Sequence, residues 1–313
     1  IRLVEQDSYF VINRARQYGK TTTLMLLWRR LKDQYIVINT SFEGMGSEAF
    51  RTEDTFVRRI CARFARGLRM SGYQEAQAEV WNTSRQEESL DTLKERIITF
   101  CAQADREVLL FIDEVDKSTD NQMFLNFLGL LRELYLERAF GTITFKSVIL
   151  AGIYDIKNLK IKYRPDEEKK YNSPWNVAVD FPIDMRLSLP EISSMLRAYR
   201  EERDISFETE ELAEEIYRYT GGYPFLVSLL CLWLDERLPE ILELPEYWTK
   251  EGIRAAVREI LKGTNTLFDD VVKNIENNDG FKRLVEGILL EGRQIPYKLS
   301  NPEINLGVTF GII

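Results

Sequence analysis

Residues Asn13 to Thr22, Asn-Arg-Ala-Arg-Gln-Tyr-Gly-Lys-Thr-Thr, set a Gly-Lys-Thr step between two patterned stretches. Before it runs the strand-like Tyr9-Phe10-Val11-Ile12, and after it Leu24, Leu27 and Leu31 recur at helical spacing. A strand, a loop and a helix in that order form a phosphate cradle. Amides at the helix N-terminus point at the anion, Gly19 lets the backbone approach closely, and Lys20 carries positive charge toward the β and γ oxygens. Thr21 offers its hydroxyl to Mg²⁺, with Arg16 and Thr22 as further nucleotide contacts. The pattern departs from G-x-x-x-x-G-K-[ST] at its first glycine, where Arg14 stands.

A second motif supports the first. Val108-Leu109-Leu110-Phe111-Ile112 is an apolar run with the composition of a buried parallel strand, and it closes on Asp113-Glu114. Asp113 is placed to hold the Mg²⁺ ion, and Glu114 to orient or deprotonate the water that attacks a γ-phosphate. Taken singly, Gly-Lys-Thr could be a loop entering a core helix, and Asp-Glu a polar strand end. Their succession in one chain favours a nucleotide site with its acidic strand. Asp116 reads better as a helix cap before Asn121 to Phe124.

The elements that must position these residues alternate along the first half. Strands are expected at Tyr9–Ile12, Tyr35–Thr40, Val108–Ile112, Phe145–Gly152 and Val177–Phe181. Helices are expected at about 53–69, 90–104 and 122–136. This predicts an α/β fold with a mostly parallel sheet and helices on both faces. The Lys-rich stretch Lys157 to Pro174 reads as a surface loop, and Tyr154 and Asp155 before it as a candidate for sensing phosphates. From Pro190 the pattern is helical only, at about 191–202, 208–219 and 224–234. Between the last two, Gly221 and Gly222 end one helix and Pro224 opens the next. A third part begins near Thr249. Its helices lead to a candidate β-ribbon at Gly292-Arg293-Gln294-Ile295-Pro296-Tyr297, which together suggest a winged helix. The apolar end, Phe310 to Ile313, reads as cut within a domain.

Composition narrows the function classes. The chain has 313 residues, 44% of them hydrophobic and 29% charged, enough for two or three domains. With no histidine, His-based catalysis and the usual soft-metal sites are excluded, which leaves carboxylates, Lys and a hard cation. The three cysteines, Cys61, Cys101 and Cys231, lie far apart on apolar helical patterns and read as buried free thiols. No apolar stretch is long enough for a bilayer and no signal peptide is evident, so a cytoplasmic location is expected. Net charge is −8, and Glu251 to Glu303 holds eight Lys/Arg against nine Asp/Glu, a poor balance for a DNA-reading module.

With these motifs in hand, the chain resembles the bacterial AAA-ATPase-like proteins, relatives of the STAND class and of archaeal P-loop ATPases. The words that carry the resemblance run from Tyr9 to Leu24, from Phe111 to Asp116, from Val148 to Leu159 and from Gly221 to Val227, and it spans nearly the whole chain. It implies an ASCE/AAA+-like P-loop core over residues 1–187, a helical lid over 188–248 and a winged-helix-like domain over 249–313. It also implies that Gly222, Tyr223 and Pro224 belong to a lid element closing over nucleotide, and that loss of the first P-loop glycine is tolerated. Larger members look like fusions to a C-terminal nuclease-like domain of the PD-(D/E)XK type, which lies outside this chain. A segment preceding the first helix in such proteins is expected to be missing here, which leaves the adenine contacts open. The expected ligands are ATP or ADP with Mg²⁺, and a homo-oligomer is an open possibility.

The reading that follows is a slowly hydrolysing ATP switch, slow because Arg132 and Arg138 are only candidate arginine fingers. Its rivals are a DNA-gripping initiator or loader, and a nucleotide-free scaffold in which Arg14 and Arg16 fill the phosphate site.

Overall fold

The structure, a computed structural model, describes residues 1–73, 79–83, 87–115, 121–153, 175–244, 246–298 and 300–312. Asp116, Tyr154, Asp155 and the Lys157–Pro174 stretch lie outside them. Two compact units are present: Ile1–Arg14 with Lys20–Pro182, and Ala15–Gly19 with Ile183–Ile313.

The first unit is built on five parallel strands: β1 (Phe10–Asn13), β2 (Ile36–Ser41), β3 (Val108–Asp113), β4 (Ser147–Gly152) and β5 (Val179–Asp180), in the order β2-β3-β4-β1-β5. β3 and β4 are buried along their whole length, as their unbroken apolar runs require. The register is continuous. Phe10 faces Ile149 and Asn13 faces Gly152, while Leu109 faces Ser147 and Ile112 faces Leu150. The fifth strand is shorter than its sequence pattern, pairing only Val179 and Asp180 with β1.

Helices follow the strands. After a first turn, α1 (Arg2–Glu5), come α2 (Lys20–Leu31), α3 (Glu53–Met70), α4 (Leu90–Gln103) and α5 (Gln122–Glu137). Hydroxyl and amide side chains start the last three. Thr52 accepts from the Thr55 amide, Ser89 and Thr92 form a reciprocal capping box, and Asn121 accepts from the Met123 amide. Alternate strand residues, Val11, Ile38, Leu110, Ile112, Val148 and Leu150, share one core with Phe56, Ile60 and Phe64 of α3, Leu93 and Ile97 of α4, and Phe127 and Leu131 of α5. α2 contacts β2, β3 and β4 without joining that core, so it covers the opposite face. The two buried thiols, Cys61 and Cys101, are pushed up to about 12 by burial, as expected of packing residues rather than nucleophiles.

β2 is an edge strand, and α3 covers it. The Ser71 hydroxyl, one residue past α3, donates to the Val37 carbonyl at 2.9 Å. Gly67 lies so close to β2 that a Cβ on it would stand 2.6 Å from the Asn39 carbonyl oxygen.

In the second unit, α6 (Leu189–Arg203), α7 (Thr209–Thr220), α8 (Pro224–Leu232), α9 (Leu238–Ile241) and α10 (Lys250–Lys262) precede α11 (Thr266–Glu276), α12 (Asp279–Leu289) and α13 (Pro302–Thr309). A turn of π-helix, Trp233–Arg237, joins α8 to α9. Ile192, Leu196, Leu212, Ile216, Val227 and Leu230 form one core with Ile253 and Ala256, so α10 packs with α6, α7 and α8. A smaller cluster joins Phe281 and Val285 of α12 to Phe310.

The ribbon expected at Gly292–Tyr297 is absent, since residues 292–298 are irregular backbone. Gly292 turns the chain at φ +65°, the Arg293 amide caps the carbonyl of Gly287 at 2.9 Å, and Pro296 has no N–H for a ladder.

Gly67→Ala forces its Cβ onto the β2 backbone. It is expected to lower unfolding free energy by about 1–3 kcal/mol, the usual cost of overpacking a well-packed contact, and urea titration monitored by circular dichroism measures it. An unchanged midpoint would show that α3 can lift from the edge strand at no cost.

Candidate nucleotide-binding site

The order of the strands sets the geometry in the first unit. β4 lies between β1 and β3, so the ends of β1 and β3 are two strand spacings apart, about 10 Å. α2, which leaves the loop after β1, bridges that gap with its first turn. The Thr21 hydroxyl donates to Asp113 Oδ2 at 2.5 Å. The other oxygen, Asp113 Oδ1, accepts the amide of Glu114 at 2.8 Å. Both carboxylate oxygens therefore have fixed donors, in a residue only 7% exposed.

Lys20 opens α2, is equally buried, and donates from Nζ to the Arg14 carbonyl at 2.9 Å. Its charge is thus held at the mouth of the loop, at the positive end of the helix. Thr22 follows Thr21 on the helix, half-way into its first turn. Glu114 adopts φ +54°, a left-handed conformation uncommon for a residue with a side chain. Such strain concentrates at functional sites, because the surrounding structure must hold it in place.

Arg14, the residue in place of the expected glycine, sends NH1 to the Asn13 carbonyl at 2.6 Å and NH2 to the Phe181 carbonyl at 3.4 Å. It ties the end of β1 to the end of β5. Arg138 is committed elsewhere: its guanidinium donates to the carbonyls of Lys146 and Asp7 and lies 4.2 Å from the centre of the Tyr135 ring. It holds the chain where β4 begins. Arg132 is half-buried on α5, with an Nε that has no hydrogen-bond partner among the described residues.

The loop residues Ala15–Gly19 pack within the second unit. Gln17 at φ +56° and Gly19 at φ +81° give this segment two left-handed turns, of the kind that direct successive amides into an anion-binding concavity. Ala15 and Tyr18 cluster with Tyr223 and Leu267, and the rings of Tyr18 and Tyr223 meet edge to face at 4.5 Å. The Tyr223 hydroxyl donates to the Arg16 carbonyl, and burial pushes its pKa up, which keeps it a donor. The Arg16 guanidinium pairs with Asp270 of α11 at 2.5 Å.

Gly222 and Pro224 also have local duties. Gly222, at φ +74°, accepts on its carbonyl the amide of Leu187 at 2.8 Å. A Cβ on Gly222 would stand 2.1 Å from the Leu187 carbonyl oxygen. Pro224 occupies the first turn of α8, where its missing N–H costs nothing. Tyr18 and Asp270 escape a reading of the sequence. Their contacts join residues more than 200 positions apart, and no local spacing announces them.

The hard oxygens of Thr21 and Asp113, beside a buried lysine, suit a Mg²⁺ ion that completes its shell with phosphate oxygens and water. Among the described residues no group of three or more acidic, Cys or His side chains could cage a metal by itself.

The parallel sheet, the loop after β1 and the acidic end of β3 define a P-loop NTPase fold of the AAA type. Residues 2–244 match the family model described as AAA-like domain, and the chain belongs to that family. Among curated proteins it is 24% identical over 249 residues to an uncharacterized WD repeat-containing protein of Synechocystis sp., covering 73% of this chain and 18% of that one. The chain thus spans about a fifth of the length of that curated relative. Among solved structures, the ORC2 protein of Aeropyrum pernix in ADPNP–ADP complexes is similar with TM-score 0.51 at 15% identity, over 97% of this chain and 80% of that one. The ORC1 protein of the same organism in complex with DNA gives TM-score 0.46 at 15% identity, over 98% of this chain and 76% of that one. The first of these structural likenesses establishes the fold.

Thr21→Val keeps the shape and deletes the donor to Asp113. Loss of one hydrogen bond to a buried carboxylate is expected to cost about 1.5–3 kcal/mol in a denaturant titration without added nucleotide. A variant as stable as the wild type would remove the Thr21–Asp113 bond as a structural tie.

Proposed function

We propose that the chain binds Mg-ATP and acts as a slowly hydrolysing switch of the STAND or AAA type. The observation that carries this reading is the Thr21–Asp113 hydrogen bond at 2.5 Å beside buried Lys20, which collects in one place the groups a bound Mg-nucleotide needs. In the terms of the sequence motifs, Asn13–Thr22 is the Walker A loop and Val108–Glu114 the Walker B strand.

Lys20 gives up the Arg14 carbonyl for the phosphate oxygens, while Gly19 and the amides opening α2 line the loop. Thr21 and Asp113 hold the cation, which when bound neutralises charge on the β and γ oxygens. Glu114, held in a left-handed backbone conformation at the strand end, accepts a proton from the attacking water. Because Ala15–Gly19 packs with Tyr223 and Leu267, a change in that segment on phosphate binding is felt among the helices of the second unit. Arg16, Gly222 and Pro224 are the residues we assign to that response, with 188–248 as lid and 249–313 as a winged-helix-like part. A cytoplasmic setting fits this role, and among the described residues no helix is long and apolar enough to cross a membrane.

The scaffold reading draws no support from Arg14, whose guanidinium donates to the Asn13 and Phe181 carbonyls. The initiator or loader reading needs a DNA-binding face on 249–313, a region with one more carboxylate than cation between Glu251 and Glu303.

The test is direct. Purified chain is denatured and assayed for released nucleotide, then titrated with Mg-ATP and Mg-ADP. Lys20→Ala is expected to abolish binding. Glu114→Gln is expected to bind normally and to lose about 10²- to 10⁴-fold in hydrolysis, the usual worth of a general base. Absence of binding by the wild type, or Lys20→Ala binding equally well, sinks the switch reading.

A further inference from the structure

Five arginines, Arg58, Arg59, Arg63, Arg66 and Arg69, fall within twelve residues of α3, and no carboxylate stands between Asp54 and Met70. This is a concentrated positive run in a chain of net charge −8. Two of the five are engaged. Arg58 forks onto Asp54 at 2.9 Å, and Arg63 donates to the carbonyls of Ser41 and Glu43 at the end of β2. Arg59, Arg66 and Arg69 are exposed, and they have no ion pair or hydrogen bond among the described residues.

At 100° per residue, Arg59, Arg63, Arg66 and Arg69 occupy an arc of about 120° and extend about 15 Å along the helix. The opposite face of α3 is immobilised by fully buried Phe56, Val57, Ile60, Phe64 and Leu68, and by Gly67 against the β2 backbone. The stripe therefore sits on a rigid rod. At its C-terminal end, Trp28 of α2 donates to the Ser71 hydroxyl at 3.3 Å, and the Lys32 ammonium lies 5.3 Å from the centre of the Trp28 ring, which adds another cation.

A merely solvated helix face mixes signs, because like charges three or four residues apart destabilise the helix. Here Arg59–Arg63, Arg63–Arg66 and Arg66–Arg69 are all repulsive. Burial first, and then Arg66 and Arg59, lower the proton affinity of Arg63. Arg58 and Arg63 serve the fold, but Arg59, Arg66 and Arg69 make no such contact among the described residues, so their use lies in what they meet.

We propose that the arginine stripe of α3 binds the phosphate backbone of a nucleic acid without reading its sequence. Charge complementarity selects a polyanion, and the guanidinium fork matches phosphate oxygens better than an ammonium does. The 15 Å span corresponds to about four to five nucleotides at 3.4 Å rise per strand. A protein partner fits less well, because interface centres are depleted of charge and the exposed apolar side chains of α3 here are Ala62 and Met70. A second copy of the chain brings another −8 charges with it. Arg63 reaches the Ser41 carbonyl, and Ser41 pairs with Asp113, so the stripe runs up to the acidic strand end; Arg59, Arg66 and Arg69 are not among the residues assigned to nucleotide, so the two proposals are tested by different variants.

The experiment is fluorescence anisotropy of labelled oligonucleotides of about 20 nucleotides, single-stranded and duplex, titrated with the chain between about 50 and 200 mM salt. Combining Arg59→Ala, Arg66→Ala and Arg69→Ala is expected to weaken binding at least about 10-fold at the low-salt end. The slope of log K against log salt should fall by about two to three, near one for each phosphate that is no longer neutralised. The same three positions changed to Lys should keep most of the slope. Circular dichroism and the thermal midpoint, checked for both variants, separate a binding defect from misfolding. No salt-dependent binding by the wild type overturns the proposal, as does wild-type affinity and slope in a folded triple Ala variant. Self-association that the triple Ala variant removes, with no oligonucleotide bound, also overturns it and assigns the stripe to an acidic protein face.

Discussion

The hydrogen bond from Thr21 to Asp113 is the contact on which the first unit's organisation turns. It joins the start of α2 to the end of β3 across β4, which lies between β1 and β3. Were β1 and β3 adjacent, their ends would stand half as far apart. The same bond explains why a carboxylate can be almost buried at a strand end. It is met by a hydroxyl on one oxygen and a backbone amide on the other, so its desolvation is offset by two short hydrogen bonds.

Arg14 shows how a departure from a motif can be absorbed. The side chain runs back toward the sheet and bonds two strand-end carbonyls, while its own carbonyl receives Lys20. What the loop loses in backbone freedom at that position is met by left-handed turns at Gln17 and Gly19 further along. The segment 15–19 then finds its apolar partners in Tyr223 and Leu267 of the second unit.

Much of the fold is legible in the sequence. The five strands and the helices between them appear within a few residues of their expected limits, because unbroken apolar runs and 3.6-residue periodicity report burial directly. Capping residues mark several helix starts. The ribbon expected at Gly292–Tyr297 does not form, and its sequence pattern says nothing about whether a partner strand is available. The Arg293 amide is instead spent on capping α12. Arg138, a candidate finger by sequence, is a clamp in the structure, since its carbonyl partners at Asp7 and Lys146 are brought together only by the sheet.

The sequence by itself determined the local elements, the Gly-Lys-Thr step, the acidic strand end and the arginine run of α3, all of which depend on neighbours within a few positions. The paired motifs already set Thr21 and Asp113 on one Mg²⁺ ion; only the tertiary structure decided that they hydrogen-bond to each other directly, that Gly222 is needed for its approach to Leu187, and that Arg16 faces Asp270. Each of these couples residues whose separation along the chain carries no periodic signal, and the strand order and helix packing that bring them together are set by burial of the whole core.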